Sequence, residues 1–168
     1  LEEKNNWWQL YKLEIIGPGM GDVDQYRPED RHYLKIDEAK EVKVGWSTAK
    51  QNRSITGGQL QIAGEKFSHG IGTHAHSEIT YDLSGKEFRR FYSMVGHNDG
   101  GRDTYLTFEV HVDQEKVFDS GDMKKGEPAK PLDISVEGAD ELKLVVTNGR
   151  DGKPEGDHAD WGHAFLVK

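Results

Sequence analysis

The chain contains no cysteine, so disulfide bonds and thiolate chemistry are excluded. That suits a cytosolic protein or a bacterial secreted one. No apolar run approaches the length a helix needs to cross a bilayer, and no membrane partner is expected. Positive charge is scarce: 22 Lys and Arg against 30 Asp and Glu leave a formal charge of −8, and no basic run exceeds two residues. Such a surface repels phosphate backbones, so nucleic acid is not an expected partner. Helical periodicity is missing too, since no segment keeps apolar residues on a 3.6-residue spacing for two turns. H-E-x-x-H, G-x-S-x-G and the EF-hand order are all absent, which removes familiar signatures of zinc hydrolases, serine hydrolases and calcium loops. The first residue is Leu1 rather than Met, and the chain is expected to be a mature or excised piece of something longer.

Turns, aromatics and alternation are what the chain does have. Its 168 residues suit one domain with a sizeable core, and 20 glycines with ten Tyr and Trp imply many turns and spare aromatic faces. Leu106, Phe108, Val110 and Val112 alternate with Thr107, Glu109 and His111, the period-2 pattern of a half-buried strand. Val42 to Trp46, Ile79 to Leu83, Leu132 to Val136 and Leu142 to Val146 repeat it, and Ala164 to Val167 supplies a closing strand. Polar turns separate these runs, as at Asp113 to Lys116 and Asn148-Gly149. The pattern predicts an all-β chain folded as a β-sandwich or barrel. Residues 1–36 read differently: an apolar run from Trp7 to Ile16 stops at Gly17-Pro18-Gly19 and gives way to polar sequence. They are either an N-terminal extension packed on the main domain or the end of a preceding one.

Four clusters could carry chemistry. His74 and His76 stand one residue apart, and on a strand i and i+2 share a face, so both rings could approach one metal. The loop Gly156 to Gly162 gathers Asp157, His158, Asp160 and Trp161. Trp161 could offer a flat apolar face to a sugar ring while its neighbours bond hydroxyls, or it could be core with the aspartates satisfying turn N–H groups. Gln51, Asn52 and Arg53 follow a strand and suit polar ligands or a solvated loop. Asn98, Asp99 and Asp103 lie around paired glycines and could hold a structural Ca²⁺, or simply shape a hairpin loop.

Taken together these segments resemble the NPCBM family, also called carbohydrate-binding module family 51. The resemblance is carried by Trp46-Ser47, Leu60 and Ile62 before Gly64, and Phe67 with Gly70-Ile71-Gly72-Thr73-His74-Ala75 and Ser77. It continues through Tyr81, Leu83, Gly85, Phe91, Val95-Gly96, Phe108, Val110, Asp119-Ser120-Gly121, Gly138-Ala139, Leu142 and Leu144, and ends at Asp157-His158-Ala159-Asp160-Trp161. It covers about residues 37–168. Two positions depart from it: His76 falls where the family leaves the residue free, and Asn98 stands where Asp is common after Val-Gly.

The resemblance implies a jelly-roll-like sandwich of two antiparallel sheets that binds sugar without transforming it, attached to a glycoside hydrolase in a larger secreted protein. Galactose and blood-group-type glycans are among the family's ligand classes. The expected sugar contacts are Trp46, Gln51, Asn52, Arg53, His74, Asp157, His158 and Trp161, with no catalytic residue and no required cofactor. A bacterial extracellular or periplasmic location and a neighbouring domain in the same polypeptide are expected with it. Two other readings stand beside this one: a metal-dependent hydrolase using His74, His76, His158 and Asp157, and an architectural module that docks another domain or protein.

Overall fold

The computed structural model describes residues 23–168, so the apolar run at 7–16 lies outside the described residues. Fourteen strands occur among the described residues. In chain order they are β1 (His32–Tyr33), β2 (Glu41–Lys43), β3 (Lys50–Gln51), β4 (Leu60–Ile62), β5 (Glu65–Phe67), β6 (Gly70–His74) and β7 (Ser77–Asp82). There follow β8 (Arg90–His97), β9 (Tyr105–Val112), β10 (Glu115–Asp119), β11 (Met123–Lys124), β12 (Lys130–Ser135), β13 (Glu141–Thr147) and β14 (His158–Val167). Every pairing is antiparallel. The first sheet runs β12-β8-β14-β6-β3, with β1 continuing alongside the far half of β14. The second runs β10-β9-β13-β7-β2, with β11 on β9. This is a two-sheet antiparallel sandwich, one of the two architectures the alternating sequence predicted and the one the family resemblance implied.

The alternation places the core. Leu106, Phe108 and Val110 of β9, with Leu142, Leu144 and Val146 of β13, meet Ile71, Phe91, Val95 and Trp161 of the first sheet in one buried cluster. Trp161 and Phe108 join the sheets edge to face, with ring centroids 5.0 Å apart. Burying each such large side chain contributes roughly 1.5–3 kcal/mol. The β9–β10 turn puts Asp113 and Gln114 at positive φ (50° and 70°), the twist a tight hairpin requires.

The centre of the first sheet is covered on its outer face as well. β14 is therefore buried along nearly its whole length, as a strand flanked and covered on both sides should be. The β4–β5 hairpin lays Leu60, Ile62 and Phe67 over one half of that face. Gly96 and Gly162 make room for it: a Cβ there would come within 2.5 Å of Ile62 and 2.8 Å of Phe67. Residues 23–33 cover the other half, with Val23, Tyr26 and Tyr33 against Tyr92 and Phe165. Tyr26 also donates its hydroxyl to Asp133 Oδ2 at 2.6 Å, and Arg90 Nε donates to Oδ1 of the same carboxylate at 2.8 Å.

Candidate functional site

The site forms at the end of the first sheet where β6 finishes and β14 begins. His74 and His158 are directly opposed across that strand pair, so their side chains rise on the same, outer face. Their rings lie 5.5 Å apart. Before β3 the chain turns at Gly45, which sits so close to the Ala75–His76 peptide that a Cβ would fall 2.4 Å from the Ala75 carbonyl oxygen. This contact sets Trp46 beside both histidines. Its indole is parallel to the His158 ring within 1°, with centroids 6.1 Å apart, and lies 5.5 Å from His74. Trp46 is 53% exposed, the largest exposed apolar side chain among the described residues. A cleft of about 500 Å³ opens here, lined by Gly45, Trp46, His74 and His158, by Gly100 and Arg102 of the β8–β9 loop, and by Pro154, Glu155 and Gly156 of the β13–β14 loop.

Hydrogen bonds hold those loops in place. Asn98 donates to Gln59 O at 3.1 Å and to Asp160 Oδ2 at 2.6 Å, and its own Oδ1 accepts from Gly100 N at 2.8 Å. Asp99 accepts from Ala63 N and Gly64 N at 2.8 and 2.9 Å, which caps the β4–β5 turn. Thr104 donates to Asp157 Oδ1 and lies 3.0 Å from His97 Nε2. Burial pushes Asp157 up to about 6, with the Thr104 hydroxyl opposing the rise. His158 is pushed down to about 4, first by burial and then by the positive field of His74, His97, Arg102 and Lys125. His74 Nδ1 lies 2.7 Å from the Ala75 carbonyl, which can only accept, so the neutral ring carries its proton on Nδ1.

Of the eight residues expected to touch sugar, three come together at the cleft: Trp46, His74 and His158. The other five do not line it. Trp161 is completely buried, because on β14 it shares the inward parity of Ala159 while His158 and Asp160 point outward. Asp157 is also sealed, against Thr104. Gln51 holds the incoming chain, accepting from Ile36 N at 2.8 Å and donating to Leu34 O at 3.1 Å. Asn52 accepts from Gly70 N at 3.0 Å, and Arg53 is exposed further along the edge, since this segment pairs with the start of β6 rather than its end.

The paired-histidine expectation is corrected too. β6 ends at His74 and β7 begins at Ser77, so the chain crosses between sheets there, and His76 faces Glu78 at 3.3 Å instead of joining His74. Among the described residues no three His, Asp or Glu side chains are placed to hold one metal ion. Nor do the candidate calcium ligands converge: Asn98 and Asp99 serve the loop bonds above, and Asp103 pairs with Lys124 at 3.6 Å. Arg102 and Glu155 were not expected as contacts, and Gly156 was named only as the start of a loop. The only sequence signal for them was the density of turn residues on either side, which marks loops without saying that two loops meet.

A rigid two-sheet sandwich presenting one exposed indole beside hydrogen-bonding rings at a loop-built end is the architecture of a carbohydrate-binding module, and comparison with known proteins agrees. Residues 30–167 match the NPCBM/NEW2 domain model, and the chain belongs to that family. The structure is similar to that of CBM51 from Clostridium perfringens GH95 in complex with methyl-galactose, with 36% identity, a TM-score of 0.76, and coverage of 82% of this chain and 99% of that one. It is also similar to the CBM51-2 and INT domains of Clostridium perfringens ZmpB in complex with GlcNAc, at 30% identity and a TM-score of 0.72, over 77% of this chain and 30% of that one. Among curated proteins, alpha-1,3-galactosidase B of Akkermansia muciniphila is 33% identical over 112 residues, which span 66% of this chain but only 14% of the relative.

Proposed function

We propose that the cleft at Trp46 binds a terminal sugar of galactose type and performs no reaction on it. The observation that carries this reading is the exposed indole of Trp46 held beside His74 and His158. An indole face matches the apolar C–H side of a pyranose. The rings supply the polar half of recognition. His74, protonated on Nδ1, leaves Nε2 as an acceptor. The Nδ1 of His158 is buried without a partner, and orphaned buried N–H groups are rarer in folded proteins than under-satisfied acceptors. This favours the His158 proton on Nε2, as a donor. One acceptor and one donor side by side suit a pair of sugar hydroxyls, each of which can do both.

Methyl-galactose in the GH95 relative and GlcNAc in the ZmpB relative support a monosaccharide-sized ligand. Each net hydrogen bond contributes only about 0.5–1.5 kcal/mol against competing water, so single-site affinity is weak. Attachment to a glycoside hydrolase in a larger secreted protein would then supply effective concentration. Isothermal titration with methyl-galactoside and with GlcNAc tests the reading. Trp46→Ala should lower affinity by at least tenfold with the fold intact by circular dichroism. Unchanged affinity in that variant, or turnover of a glycoside by this chain alone, would overturn it.

A further inference from the structure

We propose that the cleft takes a sugar bearing an anionic group, a sulfate ester or a carboxylate, and that Arg102 is the residue that receives it. This rests on the carbohydrate-binding reading above and adds the charge of the ligand. The chain as a whole is acidic, and many of its cations are already engaged. Arg90 pairs with Asp133 at 2.8 Å, Arg150 with Asp122 at 3.0 Å, and Lys116 with Asp119 at 3.0 Å. Arg31 donates to the carbonyls of Val23 and Tyr26. The guanidinium of Arg102, in contrast, has no hydrogen bond or ion pair among the described residues, although it lines the cleft beside Trp46 and His158.

That cation is nevertheless positioned. Its backbone N–H donates to Gly156 O at 3.1 Å, and its carbonyl accepts from Thr104 N at 2.9 Å. Lys125 anchors the preceding residue by donating from Nζ to Gly101 O at 2.9 Å. The aliphatic stem of Arg102 lies flat against Gly156, where a Cβ would come within 2.5 Å of its Cβ and Cγ. So the stem is fixed by packing while the charged end is left unmatched. Burial is the first cause of the downward push on His158, and the permanent charges of Arg102 and Lys125 add to it, which sets two cations near that ring on an otherwise negative protein. Glu155 also lines the cleft and forms no ion pair with Arg102, so it leaves that charge available but opposes an anion on its own side. A planar guanidinium matches carboxylate and sulfate oxygens with two parallel N–H donors.

The test is to titrate lactose, 3′-sulfolactose and 3′-sialyllactose, and in parallel GlcNAc and its 6-sulfate, into the full chain, Arg102→Met and Arg53→Met. Arg53 is an exposed arginine outside the cleft and controls for nonspecific attraction. The expected result is a ratio of anionic to neutral affinity of roughly three- to tenfold in the parent, an exposed charge contact being modest. The ratio should fall to about one in Arg102→Met, persist in Arg53→Met, and shrink as sodium chloride screens the contact. The better of the sulfated and sialylated ligands identifies the anion. Neutral sugar bound with no anionic preference overturns the inference and leaves the carbohydrate-binding reading standing. A preference that survives Arg102→Met overturns the assignment of Arg102, and failure to bind any of these sugars removes both.

Discussion

Asn98 donates from Nδ2 to Oδ2 of Asp160 at 2.6 Å, and the same carboxylate oxygen accepts from Gln61 N at 3.0 Å. One fully buried side chain thereby ties the β8–β9 loop, the central strand β14 and the β4–β5 hairpin together behind the cleft. Its other oxygen, Oδ1, has no partner. Burial outweighs the two bonds and pushes Asp160 up to about 8, so the carboxyl is largely protonated at neutral pH.

Stability should therefore fall as pH rises toward 8. A raised carboxyl pKa means that, between its unfolded value of 3.8 and about 8, the folded chain keeps a proton that the unfolded chain has lost. Asp157, raised to about 6, acts in the same sense below that pH. His158 acts oppositely from about 4 to somewhat above 6.5, and so do His97 and His163, which burial also lowers, because there the unfolded chain holds the extra protons. Above about pH 7.5 those histidines have lost their protons in both states, so the window from there to about 8.5 isolates Asp160. Urea denaturation across it should show unfolding free energy dropping by up to about 1.4 kcal/mol per pH unit, and Asp160→Asn should flatten that slope. An unchanged slope in the variant would refute the assignment.

Trp46 and Trp161 should separate binding from folding. Trp161 is fully buried against Phe108, so Trp161→Ala should cost about 3–5 kcal/mol and lower the thermal midpoint steeply. Trp46→Ala removes a half-exposed ring from the rim and should change stability by roughly 1 kcal/mol or less. Thermal melts of the two variants decide this. Equal destabilisation would mean that Trp46 is a structural residue.

The strands were readable because alternation is a local property. Leu106, Phe108 and Val110 could point to a core only if they were a strand. The site was less readable because it depends on parity and on strand ends. Asp157 to Trp161 looks in sequence like one polar loop, yet β14 already begins at His158. Its pleat sends His158 outward and Trp161 inward, and the β4–β5 hairpin then covers Asp160. His74 and His76 mislead in the same way, since the i, i+2 rule holds only within a strand and the chain leaves β6 between them. Arg102 and Glu155 are brought together by two loops, which no local pattern announces.

Residues 23–33 should prove necessary for a stable outer face. Tyr26 packs edge-on against Phe165 and Tyr92, with centroids 5.7 and 6.2 Å away, while its hydroxyl bonds Asp133. Removing residues 1–30 would strip Val23 and Tyr26 from Tyr92 and Phe165 and leave only Tyr33 over that half of the face. The shortened chain should bind a hydrophobic dye such as ANS, and Tyr26→Ala alone should cost about 2–3 kcal/mol. Tyr26→Phe isolates the hydroxyl and should cost about 1 kcal/mol. A truncated chain with unchanged melting and no dye binding would show that the sandwich stands without this segment.

Gly45 offers a way to displace Trp46 without deleting it. A Cβ at this position would lie 2.4 Å from the Ala75 carbonyl oxygen and 2.7 Å from His76 N, both of them backbone atoms that cannot rotate away. In Gly45→Ala the turn must lift off the end of β6 and carry the indole away from His74 and His158. The turn is exposed and lies outside the core, so the loss of stability should stay near 1–2 kcal/mol. Sugar affinity, if it depends on the three rings acting as one surface, should fall by at least fivefold, and the Trp46 fluorescence change on ligand addition should disappear with it. Titration of Gly45→Ala beside the parent measures both. Full affinity in a folded Gly45→Ala protein would mean that the position of Trp46 relative to the histidines is not what recognises the ligand.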